Sequence, residues 1–253
     1  MFTKAIVRTP SKSMVNGVTS ANLGLPNYEL ALEQHHDYID ALIRCGLQVK
    51  VLSADENFPD STFVEDTALL TPKCAIIANP GAPSRKGEII EIKHVLKNYF
   101  LSISFIEPPG TVEPGDIMMV GDHFFVGLSE RTNEDGAAQI ITLLNKCGYS
   151  GSVILLKDML HLKTGVAYLE NNNLLAYGEF LQEEEFRDFN IIEIDEDESY
   201  AANCIWVNNN VLVPKGFSKT RDKIIDAGYS IIEVDVSEFR KLDGGLSCLS
   251  LRF

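Results

Sequence analysis

The chain has 253 residues, of which 45% are hydrophobic and 23% charged, and its formal net charge is -14. That length buries a sizeable core in an ordinary globular protein, and no apolar run approaches the roughly eighteen residues of a membrane-spanning helix. The acidity excludes nucleic acid and anionic lipid as expected partners, since both reward clustered Lys and Arg.

In chain order, the alternation around Ala5 to Arg8 predicts an opening strand, and residues 28–45 carry a helical pattern that stops where Gly46 can supply a left-handed cap. Asp66 then precedes TALL, a polar TPK and CAIIA, which reads as a β-hairpin. A helix is predicted over 86–98. Asp116 precedes a second hairpin, IMMV-GD-HFFVG, and residues 133–146 form a helix with Ile140, Leu143 and Leu144 on one face, ended by Cys147-Gly148. Gly165 precedes VAYL-ENN-NLLAYG and Asn203 precedes CIWV-NN-NVLVP, with a short helix over 220–227 before Gly228. Cys248 precedes LSLRF, and the opening TKAIVRTP looks like the second strand that this last unit lacks.

The anchors Asp66, Asp116, Gly165, Asn203 and Cys248 thus recur at intervals of roughly 38 to 50 residues, the mark of a repeat architecture. The expectation is an α/β fold in one domain, residues 1–253, of five ββαβ-like units. The units would form a five-bladed β/α propeller of fivefold pseudosymmetry, closed by pairing of the N- and C-terminal strands. Equivalent anchors would then face a common axis, bringing residues far apart in sequence to one pocket. No Gly/Ser/Pro-rich linker divides the chain.

Four motifs in this order, FVED (63–66), GTVEPGD (110–116), HLKTG (161–165) and GGLSCLSLRF (244–253), resemble those of the guanidine-modifying superfamily, the pentein fold. Within it the chain is most similar to the dimethylarginine dimethylaminohydrolases, over nearly its whole length. The resemblance implies hydrolysis of methylated arginine to citrulline and an amine. A guanidinium carbon is a poor electrophile, so the reaction needs a strong nucleophile, acids that hold the cation, and a proton donor for the departing amine. By resemblance, Cys248 attacks, His161 protonates the leaving group and then activates water, and Glu113 orients His161. Asp66 and Glu113 bind guanidinium nitrogens, and Asp60 and Glu65 hold the amino-acid end or support the site. Arg85 and Arg131 take the carboxylate, for which a guanidinium fork is suited. Backbone at Val18 and Leu242 completes the pocket; the family commonly has leucine where Val18 stands, which leaves a backbone contact intact.

No metal and no organic cofactor is expected, since no zinc spacing, calcium loop or phosphate loop occurs. Cys45, Cys74, Cys147 and Cys204 are expected to be structural. An odd set of five cysteines without a C-x-x-C pair suits a reducing compartment, hence the cytoplasm. His35 and His36 are expected at the surface, as are the acidic runs 183–185 and 195–198. A monomer or homodimer would suit a closed ring. Two other readings stay open: a sister reaction such as arginine deimination or amidino transfer, and a non-catalytic binding propeller.

Overall fold

Five three-stranded sheets of one common pattern account for all fifteen strands of the computed structural model, which describes residues 1–253. In each, the middle strand pairs antiparallel on one side and parallel on the other. Contacts divide the chain into two units, Met1–Val64 with Gly165–Phe253, and Glu65–Thr164.

The first unit opens with β1 (Lys4–Arg8), helix α1 (Tyr28–Arg44) and β2 (Gln48–Leu52). Helix α1 starts where the Asn27 side chain accepts the Leu30 N–H at 3.1 Å and stops at Cys45-Gly46, with Gly46 at φ +90°. Its buried face, Ala31, His35, Tyr38 and Leu42, follows the three-four spacing of a helix laid on a core.

In the second unit, β3 (Ala68–Leu70) and β4 (Ala75–Ile77) form a hairpin, followed by α2 (Ile89–Leu96) and β5 (Ile103–Phe105). The helix predicted over 86–98 is shorter, because residues 86–88 and 97–98 are turns at its two ends. The hairpin of β6 (Ile117–Val120) and β7 (His123–Leu128) leads to α3 (Glu134–Lys146), β8 (Ser150–Leu155) and the single turn α4 (Leu162–Gly165). Ile76, Phe124, Val126, Ile140 and Leu144 form the core of this unit.

The first unit resumes with β9 (Val166–Tyr168), β10 (Asn173–Ala176) and β11 (Asn190–Glu193). Here two 3-10 turns, Gly178–Gln182 and Glu184–Phe186, stand where the other units have an α-helix, and they bury Phe180 and Phe186. Then come β12 (Ile205–Val207), β13 (Asn210–Pro214), α5 (Ser218–Asp226), β14 (Ser230–Val234), α6 (Ser237–Arg240) and β15 (Leu251–Arg252). As the repeat implied, β15 pairs antiparallel with β1, joining Ala5 to Arg252 and Ile6 to Leu251. Val7, Tyr38, Leu42, Phe239 and Leu249 pack in one core cluster of this unit.

Two surface expectations are corrected. His35 is 3% exposed and lies 6.5 Å from the Phe239 ring. Burial first, and then the neighbouring His36, lowers its pKa to about 4, so it is a neutral core residue at pH 7. Glu198 is also buried, because α5 has no cap from its own sequence. Its carboxylate instead accepts the N–H groups of Lys219 at 3.1 Å and Thr220 at 2.6 Å. No helix is long and apolar enough to cross a membrane.

Candidate active site

Within the second unit, two hairpins begin directly after a 3-10 turn that carries a carboxylate. Asp66 stands ahead of β3 and Asp116 ahead of β6. Asp66 is 3% exposed; its Oδ1 accepts the Gly115 N–H at 2.9 Å and its Oδ2 accepts Arg85 Nη1 at 2.7 Å. Burial by itself raises this carboxyl, but the charges of Arg85 and then His161 hold it below the usual range. Arg85 is itself buried, and its Nε and Nη2 turn to Glu88 at 3.2 and 2.9 Å.

Glu113, 1% exposed, accepts the Ala82 N–H on Oε1 at 3.1 Å and meets His161 Nε2 through Oε2 at 2.9 Å. Arg131 Nη1 lies 3.9 Å from Glu113 Oε1, with a side chain 21% exposed. Burial pushes the His161 pKa down. The Glu113 hydrogen bond and the charges of Asp116, Asp66 and Glu113 outweigh it and raise the pKa to about 9. At neutral pH the ring is therefore an imidazolium, and both its nitrogens are donors. Asp116 accepts Ser129 Oγ at 2.7 Å and the Leu162 N–H at 3.0 Å, which fixes the chain beside His161. A Cβ at Gly115 would come within 3.0 Å of Asp66 Oδ1 and of His161 Cγ and Nδ1, so glycine is what lets acid and imidazole close on this turn. Asp66, Glu113 and His161 offer atoms within 4.8 Å of one another, near enough for a cation. An imidazolium has no free ring lone pair for one, however, and the carboxylates are engaged as described. Glu65, also buried, is paired to Lys163 Nζ at 2.6 Å.

In the first unit, Cys248 sits in the 3-10 turn Ser247–Leu249, directly before β15. Its Sγ accepts the Gly245 N–H at 3.4 Å. Three side chains from elsewhere in the unit pin this turn. Asn203 accepts the Ser247 N–H at 2.9 Å and donates to Ser247 Oγ at 3.0 Å. Tyr200 donates its phenol to the Gly244 carbonyl at 2.8 Å. Tyr38, fully buried, reaches the Leu246 carbonyl at 2.8 Å and Ser250 Oγ at 2.6 Å. Tyr38→Phe is expected to lower the unfolding free energy by about 1–2 kcal/mol, because two buried polar groups lose a partner, and urea unfolding at pH 7 measures it.

Asp60, buried, accepts the Val18 N–H on both oxygens at 3.0 and 3.2 Å. Thr19 Oγ1 donates to the Lys241 carbonyl at 2.9 Å and Ser20 Oγ to Asp243 at 3.0 Å, so the loop bearing Val18 lies along the segment bearing Leu242. Val18 is exposed and Leu242 buried. The expected residues therefore gather into Glu65, Asp66, Arg85, Glu113, Arg131 and His161 in one unit, and Val18, Asp60, Leu242 and Cys248 in the other. Sequence reasoning missed Tyr38, Tyr200, Glu88 and Lys163. Only Lys163, two positions after His161, carried a signal of its own.

A family profile described as "N,N dimethylarginine dimethylhydrolase, eukaryotic" matches residues 22–249. The N(G),N(G)-dimethylarginine dimethylaminohydrolase of Pseudomonas aeruginosa is 59% identical over the whole of both chains. That of Streptomyces coelicolor is 30% identical over 98% of this chain and 96% of its own. The crystal structure of a Cys-to-Ser variant of the Pseudomonas aeruginosa enzyme with citrulline superposes with a TM-score of 0.99 over the full length of both. A His-to-Gly variant of a dimethylarginine dimethylaminohydrolase, as an adduct with S-methyl-L-thiocitrulline, does so at 0.98, again over all of both chains. The N-terminal domain of ArgZ, a cyanobacterial arginine dihydrolase, is 20% identical with a TM-score of 0.89, and shares the fold. With a profile spanning most of its length and relatives matched from end to end, the chain belongs to the dimethylarginine dimethylaminohydrolase family.

Proposed function

We propose that this protein hydrolyses Nω,Nω-dimethyl-L-arginine, and the monomethyl compound, to L-citrulline and dimethylamine or methylamine through a covalent thiouronium on Cys248. The observation that carries this is the 59% identity, over the whole of both chains, with the Pseudomonas aeruginosa enzyme. Cys248 attacks the guanidinium carbon. His161, protonated at neutral pH, gives its proton to the departing amine; left neutral, it takes a proton from the water that releases citrulline. Glu113 holds the imidazole through the 2.9 Å bond and, with Asp66, receives guanidinium N–H groups. Each carboxylate oxygen has two lone pairs, so Asp66 can accept substrate while keeping Gly115 and Arg85. Asp60 and Glu65 serve the amino-acid end or support the site, and the backbone at Val18 and Leu242 completes it. No metal or organic cofactor enters this chemistry.

Arg85 and Arg131 are assigned to the substrate carboxylate, but unequally. Arg85 is buried and gripped by Asp66 and Glu88, whereas Arg131 is more open and more loosely held by Glu113. Arg131→Lys is expected to raise KM about 10- to 100-fold with a smaller change in kcat, as loss of a charge-assisted fork would do. Arg85→Lys should instead lower kcat and stability together, since it also frees two buried carboxylates. Steady-state kinetics and urea unfolding of the two variants separate these outcomes.

The test is citrulline release by the purified protein from asymmetric dimethylarginine, monomethylarginine and arginine. Preference for the methylated compounds, lost in Cys248→Ser, is the expected result. Turnover of arginine alone would move the protein to deimination, and no turnover of any of the three would refute the reading. The common pairing pattern of the five sheets and the β1–β15 pairing support a closed five-bladed ring acting as one catalytic domain. The acidic charge supports a small cationic substrate, with neither nucleic acid nor membrane as partner; the odd cysteine set supports the cytoplasm, and a closed ring suits a monomer or homodimer.

A further inference from the structure

Two cysteines outside the proposed chemistry lie on neighbouring stretches of chain in one core cluster. Cys74 closes the turn between β3 and β4 and is buried, while Cys147 caps the C-terminal end of α3 and is partly exposed. Both pack in the core of the second unit, Cys74 within the cluster and Cys147 against it, and Cys147 is near enough to act on the Cys74 thiol. Neighbouring contacts hold the two stretches of chain side by side. Lys73 Nζ lies 4.1 Å from the centroid of the Tyr149 ring and 3.9 Å from where a Cβ on Gly148 would stand. Residues 73–74 therefore run alongside 147–149. The other two buried cysteines have different neighbours: Asn210 acts on the Cys45 thiol, and Cys204 donates to the Ala201 carbonyl at 3.0 Å.

We propose that Cys74 and Cys147 form a reversible intramolecular disulfide, with a low-molecular-weight disulfide of the glutathione class as oxidant. The Cys147 thiolate attacks one sulfur of glutathione disulfide, and one glutathione thiolate leaves. The Cys74 thiolate then attacks Cys147 Sγ and expels the second. Two protons from the protein thiols end on two glutathione molecules; the cysteine pair is oxidised by two electrons and glutathione disulfide is reduced. The order follows from access. Cys147 meets the oxidant at the surface, whereas burial pushes the Cys74 thiol up to about 11 and makes it a poor nucleophile in free collision. Proximity to Cys147 compensates, since the second step is intramolecular. The bond would tie the β3–β4 turn to the end of α3, at the opposite end of β3 from Asp66. It thus leaves the proposed chemistry in place.

The test uses the full chain as Cys248→Ser, which removes the proposed nucleophile as a competing thiol. The protein is equilibrated anaerobically in glutathione buffers of graded ratio, quenched in acid, alkylated in denaturant, digested and weighed. Cys74 and Cys147 should escape alkylation together, in one cross-linked peptide lighter by about 2 Da than the two reduced peptides combined. Dithiothreitol should restore both thiols. Cys74→Ser in the same background should trap glutathione on Cys147. The proposal is overturned if both thiols remain alkylatable in the most oxidising buffer. It is equally overturned if Cys147 carries glutathione with Cys74 present and no cross-link forms.

Discussion

Cys248→Ser is expected to reduce citrulline release from dimethylarginine by about 10^4-fold or more, while the protein stays folded and still binds citrulline. The fold should survive because nothing that pins the turn depends on sulfur. The Gly245 N–H can donate to a serine hydroxyl as it does to Sγ, and Asn203, Tyr200 and Tyr38 grip the residues on either side. The chemistry should fail because a hydroxyl ionises far less readily than a thiol, and a resonance-stabilised guanidinium demands a strong nucleophile. Calorimetric binding of citrulline by the variant, beside its turnover, separates the two effects. Residual activity above about 1% of wild type would contradict covalent catalysis by this residue.

Glu113→Gln is expected to lower kcat by about 10^2- to 10^4-fold and to move the titration of His161 to lower pH. In the wild type the imidazolium is favoured by the Glu113 hydrogen bond and by three carboxylates, which place its pKa at about 9. The acid form is therefore present at neutral pH and lost as pH rises through about 9. Removing the charge at position 113 weakens the largest raising influence, so that loss must begin at lower pH. The same linkage bears on stability. A histidine whose folded pKa lies above its unfolded value contributes stability that is complete below pH 6.5 and lost as pH climbs through about 9. NMR titration of the His161 ring, with urea midpoints at pH 6 and 9.5, checks both signs. An unchanged ring titration in the variant would rule out Glu113 as the residue that sustains the imidazolium.

Much of this architecture could be read from local pattern, and what escaped reading depended on distant partners. The hairpins after Asp66, Asp116, Gly165 and Asn203 were legible because each is two apolar runs around a polar turn. The parallel strands were harder to place. β5 and β11 are only three and four residues long, and their partners lie across a crossover that no local signal marks. His35 could have been found, since positions 31, 35, 38 and 42 form an apolar helical stripe in which it stands. At the site, the motifs named His161 and Glu113, but not the clamp on Cys248, because Tyr38 meets a residue more than 200 positions away. Arg85 was named from sequence, but its partner was not. Glu88, three residues on, carried no signal of its own, yet both side chains are buried, and Arg85 bridges Glu88 to Asp66.

The β1–β15 pairing sets an order of assembly. Four sheets draw their strands from one stretch of chain each, so their closure costs little loop entropy and can proceed as those stretches emerge from the ribosome. The remaining sheet needs Ala5 to find Arg252, and the turn carrying Cys248 lies immediately before that partner strand. The proposed nucleophile therefore gains its setting last, after the turns that carry Asp66, Glu113 and His161 can form.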